Sequence, residues 1–126
     1  MRSVIVSLVL LAFCLFGAYF ASETLEEDIT ALCGTLHTME DAILADDWPG
    51  AQAQFENLRG QWQAQEHFWR LMLDHQRQSD LEANMLRVGA YVYAQDDAQS
   101  LAELASLFAG YEHTLILEKI SWENIL

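Results

Sequence analysis

Nineteen consecutive uncharged residues, Ser3–Ala21, open this chain behind only Met1 and Arg2. As an α-helix the run would be about 28 Å long, at a rise of about 1.5 Å per residue, and the hydrocarbon core of a bilayer is about 30 Å thick. The run therefore predicts a transmembrane helix at residues 3–21. Residues 1–2 would form a cytoplasmic stub, and residues 22–126 would form a separate domain.

The alternative interpretation of this run is a signal peptide that is removed after export. The apolar region of a signal peptide is usually about 7–15 residues long and ends at a cleavage site with small residues. The two possible cuts, after Ala18 and after Ala21, place Phe16 and Tyr19 at the third residue before the cut. Both side chains are too bulky for that position. We therefore expect an uncleaved anchor, with cleavage and secretion as the alternative.

The charges on either side of the run predict its orientation. Arg2 and the amino terminus are the positive groups near it, whereas Ser22–Asp28 carries four acidic residues. Positively charged flanks are retained on the cytoplasmic side of a membrane. We therefore expect a single-pass protein of the cell membrane, with its N-terminus in the cytoplasm and residues 22–126 outside.

The rest of the chain is strongly acidic. The sequence contains 19 acidic and 6 basic residues, a net charge of −13, and all the acidic residues follow Ala21. Such an excess repels nucleic acid, so nucleic-acid binding is excluded as a function. Acidity alone could indicate disorder, but four Trp and abundant Leu, Phe and Tyr can supply a core.

Apolar residues recur every three or four positions after residue 22, which predicts amphipathic helices. The four runs are Leu25, Ile29, Leu32, Leu36, Met39, Ile43; Trp48, Ala51, Phe55, Leu58, Trp62, Trp69, Met72; Leu81, Met85, Val88, Val92; and Leu101, Leu104, Phe108, Tyr111, Leu115. Short connections force neighbouring helices to pack antiparallel. The predicted fold is therefore all-α, with an N-terminal transmembrane helix followed by an antiparallel up-down four-helix bundle.

Capping residues mark the predicted ends of these helices. Thr24 and Glu27 can form a capping box at the start of the first helix. Asp46–Pro49 ends that helix and opens the second, because proline is tolerated in a first turn. Gln78–Asp80 and Asp96–Asp97 offer caps for the third and fourth helices.

The sequence also repeats itself weakly at a distance of 49 residues. The segment from Asp47 through Phe55, Leu58 and Trp62 aligns with the segment from Asp96 through Leu104, Leu107 and Tyr111. The pattern predicts two helical hairpins. Because stacked repeats usually need three or more units for stability, two hairpins favour a closed bundle over an open solenoid.

No motif indicates catalysis, a cofactor or a metal site. The di-iron pair Glu-x-x-His is absent, as are HExxH, CxxC, Walker and GxGxxG patterns. His37, His75 and His113 have acidic neighbours but are predicted on the surface. The paired aspartates of the two turns fit caps better than calcium loops, which gather six to eight oxygen ligands. We therefore expect a protein that is not an enzyme and binds no cofactor.

A surface for a protein partner is a further expectation, because aromatic residues near the second and third helices fall off the apolar seams. The candidate residues are His67, Phe68, Asp74, His75, Tyr91, Tyr93, Trp122 and Asn124. Cys33 follows core residue Leu32 and is interpreted as a buried thiol. The alternative is a disulfide between two copies, which would make a homodimer.

Short motifs along the chain resemble an uncharacterised family of small proteins from clostridial-type Gram-positive bacteria. The matching residues are Trp48, Ala51, Leu58, Trp62, Trp69, Leu73–His75, Asp80 and Ser121–Leu126. The resemblance implies one N-terminal membrane segment and a small helical domain, and it implies no activity. Members often carry lysines where this chain has Gln and Ala, so roles of basic residues do not transfer.

These observations together favour a non-catalytic, membrane-anchored helical interaction or scaffold protein. Residues 3–21 would bind the membrane, and residues 22–126 would bind another protein. The alternative function is an extracytoplasmic sensor domain that binds a ligand or a metal.

Overall fold

The computed structural model describes the backbone of residues 1–125 and the side chains in that range apart from 18, 21, 22, 72 and 118–125. The described range contains four α-helices: α1 (Arg2–Leu44), α2 (Trp48–Met72), α3 (His75–Tyr93) and α4 (Asp97–Ile125). The predicted all-α class is confirmed.

The N-terminal apolar run belongs to the first helix of the bundle and is not a helix of its own. α1 continues for 43 residues, and the hydroxyl of Thr24 donates to the carbonyl of Phe20 at 3.0 Å inside it, so Thr24 is no cap. Residues 20–25 contain neither Gly nor Pro that could stop the helix. The predicted transmembrane helix followed by a separate four-helix bundle is therefore wrong. Where side chains are described, no helix combines the length and the apolar character needed to cross a bilayer.

The four helices pack as a closed ring around one core. Each helix contacts the next along the chain, and α1 and α4 close the ring. The apolar seams predicted for α1 and α3 are confirmed, as are five members of the seam predicted for α2; the buried residues are Leu25, Ile29, Leu32, Leu36, Met39, Ile43, Ala51, Phe55, Leu58, Trp62, Trp69, Leu81, Met85, Val88 and Val92. Trp48 is only half-buried, and the predicted member Met72 lies outside the described side chains. Burying one large apolar side chain contributes about 1.5–3 kcal/mol. We call this part of the molecule, from Leu25 onward, the body.

The turns after α1 and α3 have the same geometry, which confirms the repeat in the sequence. In each turn the residue after the helical C-cap is left-handed, with φ of 55° at Asp46 and 56° at Gln95. The backbone hydrogen bonds of both turns are those of a Schellman motif. The side chains of Asp47 and Asp96 then cap the next helix, each accepting from the backbone N–H three residues later at 3.0 Å. These two caps were predicted correctly.

The third helix begins earlier than predicted. Asp74 is its N-cap, and its carboxylate accepts from the backbone N–H of Gln76 at 2.9 Å. Leu73, the residue before Asp74, adopts an extended conformation. Leu73 and Asp74 alone therefore separate α2 from α3. The predicted cap at Gln78–Asp80 is wrong, because Gln78 is buried within α3 and its amide donates to the Glu66 carbonyl of α2 at 3.4 Å.

Candidate functional site

The residues predicted to form a partner surface do not form one patch. His67 is exposed on α2, and Phe68 is half-buried against the core. Asp74 is used as the cap of α3, and His75 is exposed at the first residue of that helix. These four residues lie at one end of the body.

The two predicted tyrosines lie at the other end of α3, about 27 Å away at a rise of about 1.5 Å per residue. Tyr91 is half-buried, and Tyr93 is exposed and donates its hydroxyl proton to Glu56 at 2.8 Å. This hydrogen bond raises the pKa of Tyr93. The remaining two candidates, Trp122 and Asn124, fall outside the side chains that the structure describes.

A pocket of about 300 Å³ lies between α2 and α3 beside His75. The charged residues Glu66 and Arg70 line it, and their side chains pair at 2.8 Å. Exposed pairs of this kind contribute little stability. Glu66 and Arg70 thus neutralise each other, and Glu82 is a further charged residue of the lining.

A second polar pocket, of about 330 Å³, lies between α3 and α4. Arg87 pairs there with Glu103 at 3.1 Å. The buried Asn84 amide is best satisfied when its nitrogen donates to the Glu103 carboxylate at 2.9 Å and its oxygen accepts from Ser106. These hydrogen bonds lock the two helices together.

Three aromatic side chains pack edge-to-face inside the body. The ring centroids of Trp62 and Trp69 are 5.2 Å apart, and those of Trp69 and Tyr111 are 6.1 Å apart. The buried Trp62 Nε1 and the Tyr111 hydroxyl have no hydrogen-bond partner, and burial raises the pKa of Tyr111. Burial also raises the pKa of the nearby Asp28 carboxyl, while the Trp69 indole N–H lowers it. The rings fill this space, so the cluster is a part of the core.

The apolar stripe of α4 is wider than the core requires. Leu107 and Tyr111 are fully buried, whereas Phe108, predicted in the seam, is half-buried. Leu101 and Leu115 are also half-buried, and they lie seven residues before and after Phe108, on nearly the same side of the helix. The sequence repeat aligns Leu107 with Leu58, which is buried, so the sequence contained a signal for the burial of Leu107. The surplus apolar residues of α4 line a groove along α1.

This α1–α4 groove contains a mostly apolar pocket of about 290 Å³. It is lined by Leu36, His37, Glu40, Leu104, Ala105 and Phe108. The ring of His37 contacts the ring of Phe108 edge-to-face, with centroids 5.0 Å apart. His37 was predicted on the surface, where it lies, but the groove itself was missed.

Cys33 lies farther along the same groove and is half-buried. Burial raises the pKa of its thiol, and the negative charge of Glu112 raises it further. A raised pKa lowers the fraction of reactive thiolate. Cys33 is thus half-buried rather than fully buried, and a disulfide between two copies stays a prediction.

The equivalent groove between α2 and α3 has a different chemistry. A shift of 49 residues places Glu56 where α4 has Ala105, and Arg59 where it has Phe108. Glu56 and Arg59 pair at 3.8 Å. The Phe55 ring, which corresponds to Leu104, packs against Gly89, whose counterpart in α1 is Glu40. At these positions the α2–α3 groove is filled and charged, whereas the α1–α4 groove is open and mostly apolar.

Among the described residues, no three His, Cys, Asp or Glu side chains lie close enough together to hold a metal ion. Comparison with known proteins gives no match among curated proteins or solved structures. A family model covers residues 19–125, which include the whole body. The predicted resemblance to an uncharacterised family is confirmed at this level, and the chain belongs to the family described as Domain of unknown function (DUF4363).

Proposed function

We propose that the protein is a non-catalytic helical interaction module that is held at a membrane by the N-terminal half of α1. The observation that carries this proposal is the exposure of large apolar side chains there, which is 61% at Val4, 77% at Phe13 and 63% at Phe20. We call residues 3–20 the stem. Contiguous apolar patches above a few hundred Å² on a soluble monomer mark interaction sites.

Lipid fits the stem better than a single protein helix does. The exposed apolar residues of the stem include Val4, Ile5, Val6, Leu8, Val9, Leu10 and Leu11. Consecutive residues of a helix point in all directions, at about 100° per residue. A single partner helix would leave the other sides of such a rod exposed, which supports a lipid surface as the partner.

The continuity of α1 links the stem to the body. No loop separates the two, because the helix runs from Arg2 to Leu44. Binding of the stem therefore fixes the direction in which the body is presented. Arg2 before the stem and the acidic residues Glu23–Asp28 after it support a location of the body outside the cytoplasm. The sequence resemblance also supports a clostridial-type Gram-positive source, which we include in the proposal.

Flotation with vesicles of zwitterionic phosphatidylcholine tests membrane binding, because this lipid does not repel an acidic protein. The full chain should float with the vesicles. The variant Leu10→Glu/Leu11→Glu, which places two charges on the stem, should lose this association. The matched control Ala64→Glu, on the exposed side of α2, should retain it. A full chain that stays in the soluble fraction would contradict the proposal.

Thermal melting separates the interaction module from a sensor. We expect the melting temperature to stay constant on addition of Zn²⁺ or Ca²⁺. A ligand that binds the native state raises the unfolding free energy by about 2.7 kcal/mol at 100 times its Kd. A reproducible rise with either metal would therefore favour the sensor.

A further inference from the structure

We propose that the α1–α4 groove docks an amphipathic helix of another protein, with apolar residues on the docked face and Lys or Arg beside it. This inference rests on the proposed function and names the partner of the interaction module. The groove extends along α4 from Leu101 to Leu115, about 21 Å at a rise of about 1.5 Å per residue. Four turns of a partner helix have the same length.

The side chains that line the groove are suited to an apolar partner. Phe108 and Leu101 are half-buried and remain accessible from one side, and Ala105 between them is small and exposed. Helices recognised in grooves bind through apolar anchors at positions i, i+3, i+4 and i+7. A small residue flanked by large ones gives such an anchor a place to insert.

At the position equivalent to the α1–α4 pocket, the groove between α2 and α3 is closed. A Cβ atom on Gly89 would overlap the ring of Phe55, so Phe55 fills the space between α2 and α3 at this position. In the α1–α4 groove the shorter Leu104 faces Glu40, and a pocket of about 290 Å³ remains. This volume is near the lower limit of about 300–1,000 Å³ for small-molecule pockets. It suits one or two inserted side chains.

Charge decides the class of partner. Glu40 lines the pocket, and Glu112 is exposed farther along the same face of α4. A second copy of the chain would bring another net charge of −13 and would be repelled. Lys and Arg flanking an apolar helix face complement the two glutamates and accelerate association. The geometry and charge thus point to a basic partner.

The test uses the full chain in phosphatidylcholine nanodiscs and a synthetic 16-residue helix with Leu on one face and Lys beside it. Fluorescence anisotropy of the labelled peptide measures binding, and amide chemical shifts map the site. We expect binding that weakens with added salt. We also expect amide chemical-shift changes that are confined to the α1–α4 groove. A peptide with Glu in place of Lys should bind at least tenfold more weakly. Empty nanodiscs provide the background.

Two variants block the groove in different ways. Ala105→Glu places a charge at its centre, and Glu40→Gly/Leu104→Phe copies the Gly89–Phe55 pair of the other groove. Each should weaken binding at least tenfold. The control Ala64→Glu should change the affinity for the peptide by less than twofold. Circular dichroism checks that each variant keeps its helix content, and the second blocking variant serves if the first does not fold.

The reversal Glu40→Lys/Glu112→Lys should exchange the preference, so that the Glu peptide binds better than the Lys peptide. Absence of peptide binding would overturn the inference. Amide chemical-shift changes on α2 and α3, or equal losses of peptide affinity in Ala105→Glu and Ala64→Glu, would do the same. Vesicle flotation of Ala105→Glu should be normal. Failure of flotation together with peptide binding by the full chain in solution would disprove the membrane role and leave the docking site.

Discussion

The hairpin of α1 and α2 and the hairpin of α3 and α4 share a backbone and differ in their side chains. Their turns have the same hydrogen bonds and the same left-handed residue, at Asp46 and at Gln95. The grooves between the hairpins differ, because Phe55 and Gly89 fill one and Leu104 and Glu40 leave the other open. Different side chains at repeated positions thus make a shared backbone arrangement present an asymmetric surface.

The largest expected effect concerns which residues of α4 belong to the core. Leu107→Ala should lower the free energy of unfolding by about 2–5 kcal/mol, the cost of truncating a buried leucine. Its repeat partner, buried Leu58, should show a loss in the same range. Phe108→Ala should cost less than Leu107→Ala although the ring is larger, because Phe108 is half-buried. Chemical denaturation measures all three, and an equal or greater loss at Phe108 would contradict the assignment of this residue to the groove.

The next test concerns the filled groove. Gly89→Ala brings a Cβ atom into the Phe55 ring, and overpacking of this kind costs about 1–3 kcal/mol. Better helix propensity offsets up to about 1 kcal/mol of that loss. The matched control is Gly34→Ala, where an added Cβ meets nothing within 4 Å. It should raise the melting temperature while Gly89→Ala lowers it. A stabilised Gly89→Ala variant would show that Phe55 can move away and that the two grooves are less different than described.

The seams of three helices could be predicted from the sequence, because spacing of three and four defines the buried side of a helix. The fourth helix has apolar residues on more than one side, so spacing alone could not choose between Leu107 and Phe108. The repeat aligned Leu107 with Leu58, but the predicted seam contained Phe108, which is half-buried. The groove depends on which side chain faces Gly89 or Glu40, and contacts across helices cannot be obtained from the pattern of one helix.

The predicted helix boundary between the apolar run and the body was wrong for a related reason. Thr24 and Glu27 have the types and spacing of a capping box, and a cap requires the chain to leave the helix before it. Residues that allow a cap do not force one, and α1 continues through them. By contrast Asp47 precedes Pro49, which has no backbone N–H to donate within a continuing helix. That restriction explains why the turn after α1 was predictable and the boundary near residue 22 was not.

The two aspartate caps provide a test with a smaller effect. Asp47→Ala and Asp96→Ala each remove a carboxylate that accepts a backbone N–H at 3.0 Å. Loss of such a cap costs about 0.5–2 kcal/mol. Because the two turns have the same hydrogen bonds, the two losses should agree within about 0.5 kcal/mol. Thermal and denaturant unfolding measure them, and strongly unequal losses would show that the turns differ in energy despite their common geometry.

The smallest expected effect distinguishes the turns by their left-handed residues. At a φ near 56° a glutamine side chain is strained, whereas aspartate is better tolerated in this region. Gln95→Gly should therefore raise the free energy of unfolding by up to about 1 kcal/mol, since glycine adopts positive φ without steric cost. Asp46→Gly should give a smaller gain, because the strain it removes is smaller. Melting temperatures of the two variants and their parent, measured at one pH, provide the comparison. A loss in Gln95→Gly would mean that the Gln95 side chain contributes contacts that outweigh its backbone strain, and the equivalence of the two turns would then hold for the backbone alone.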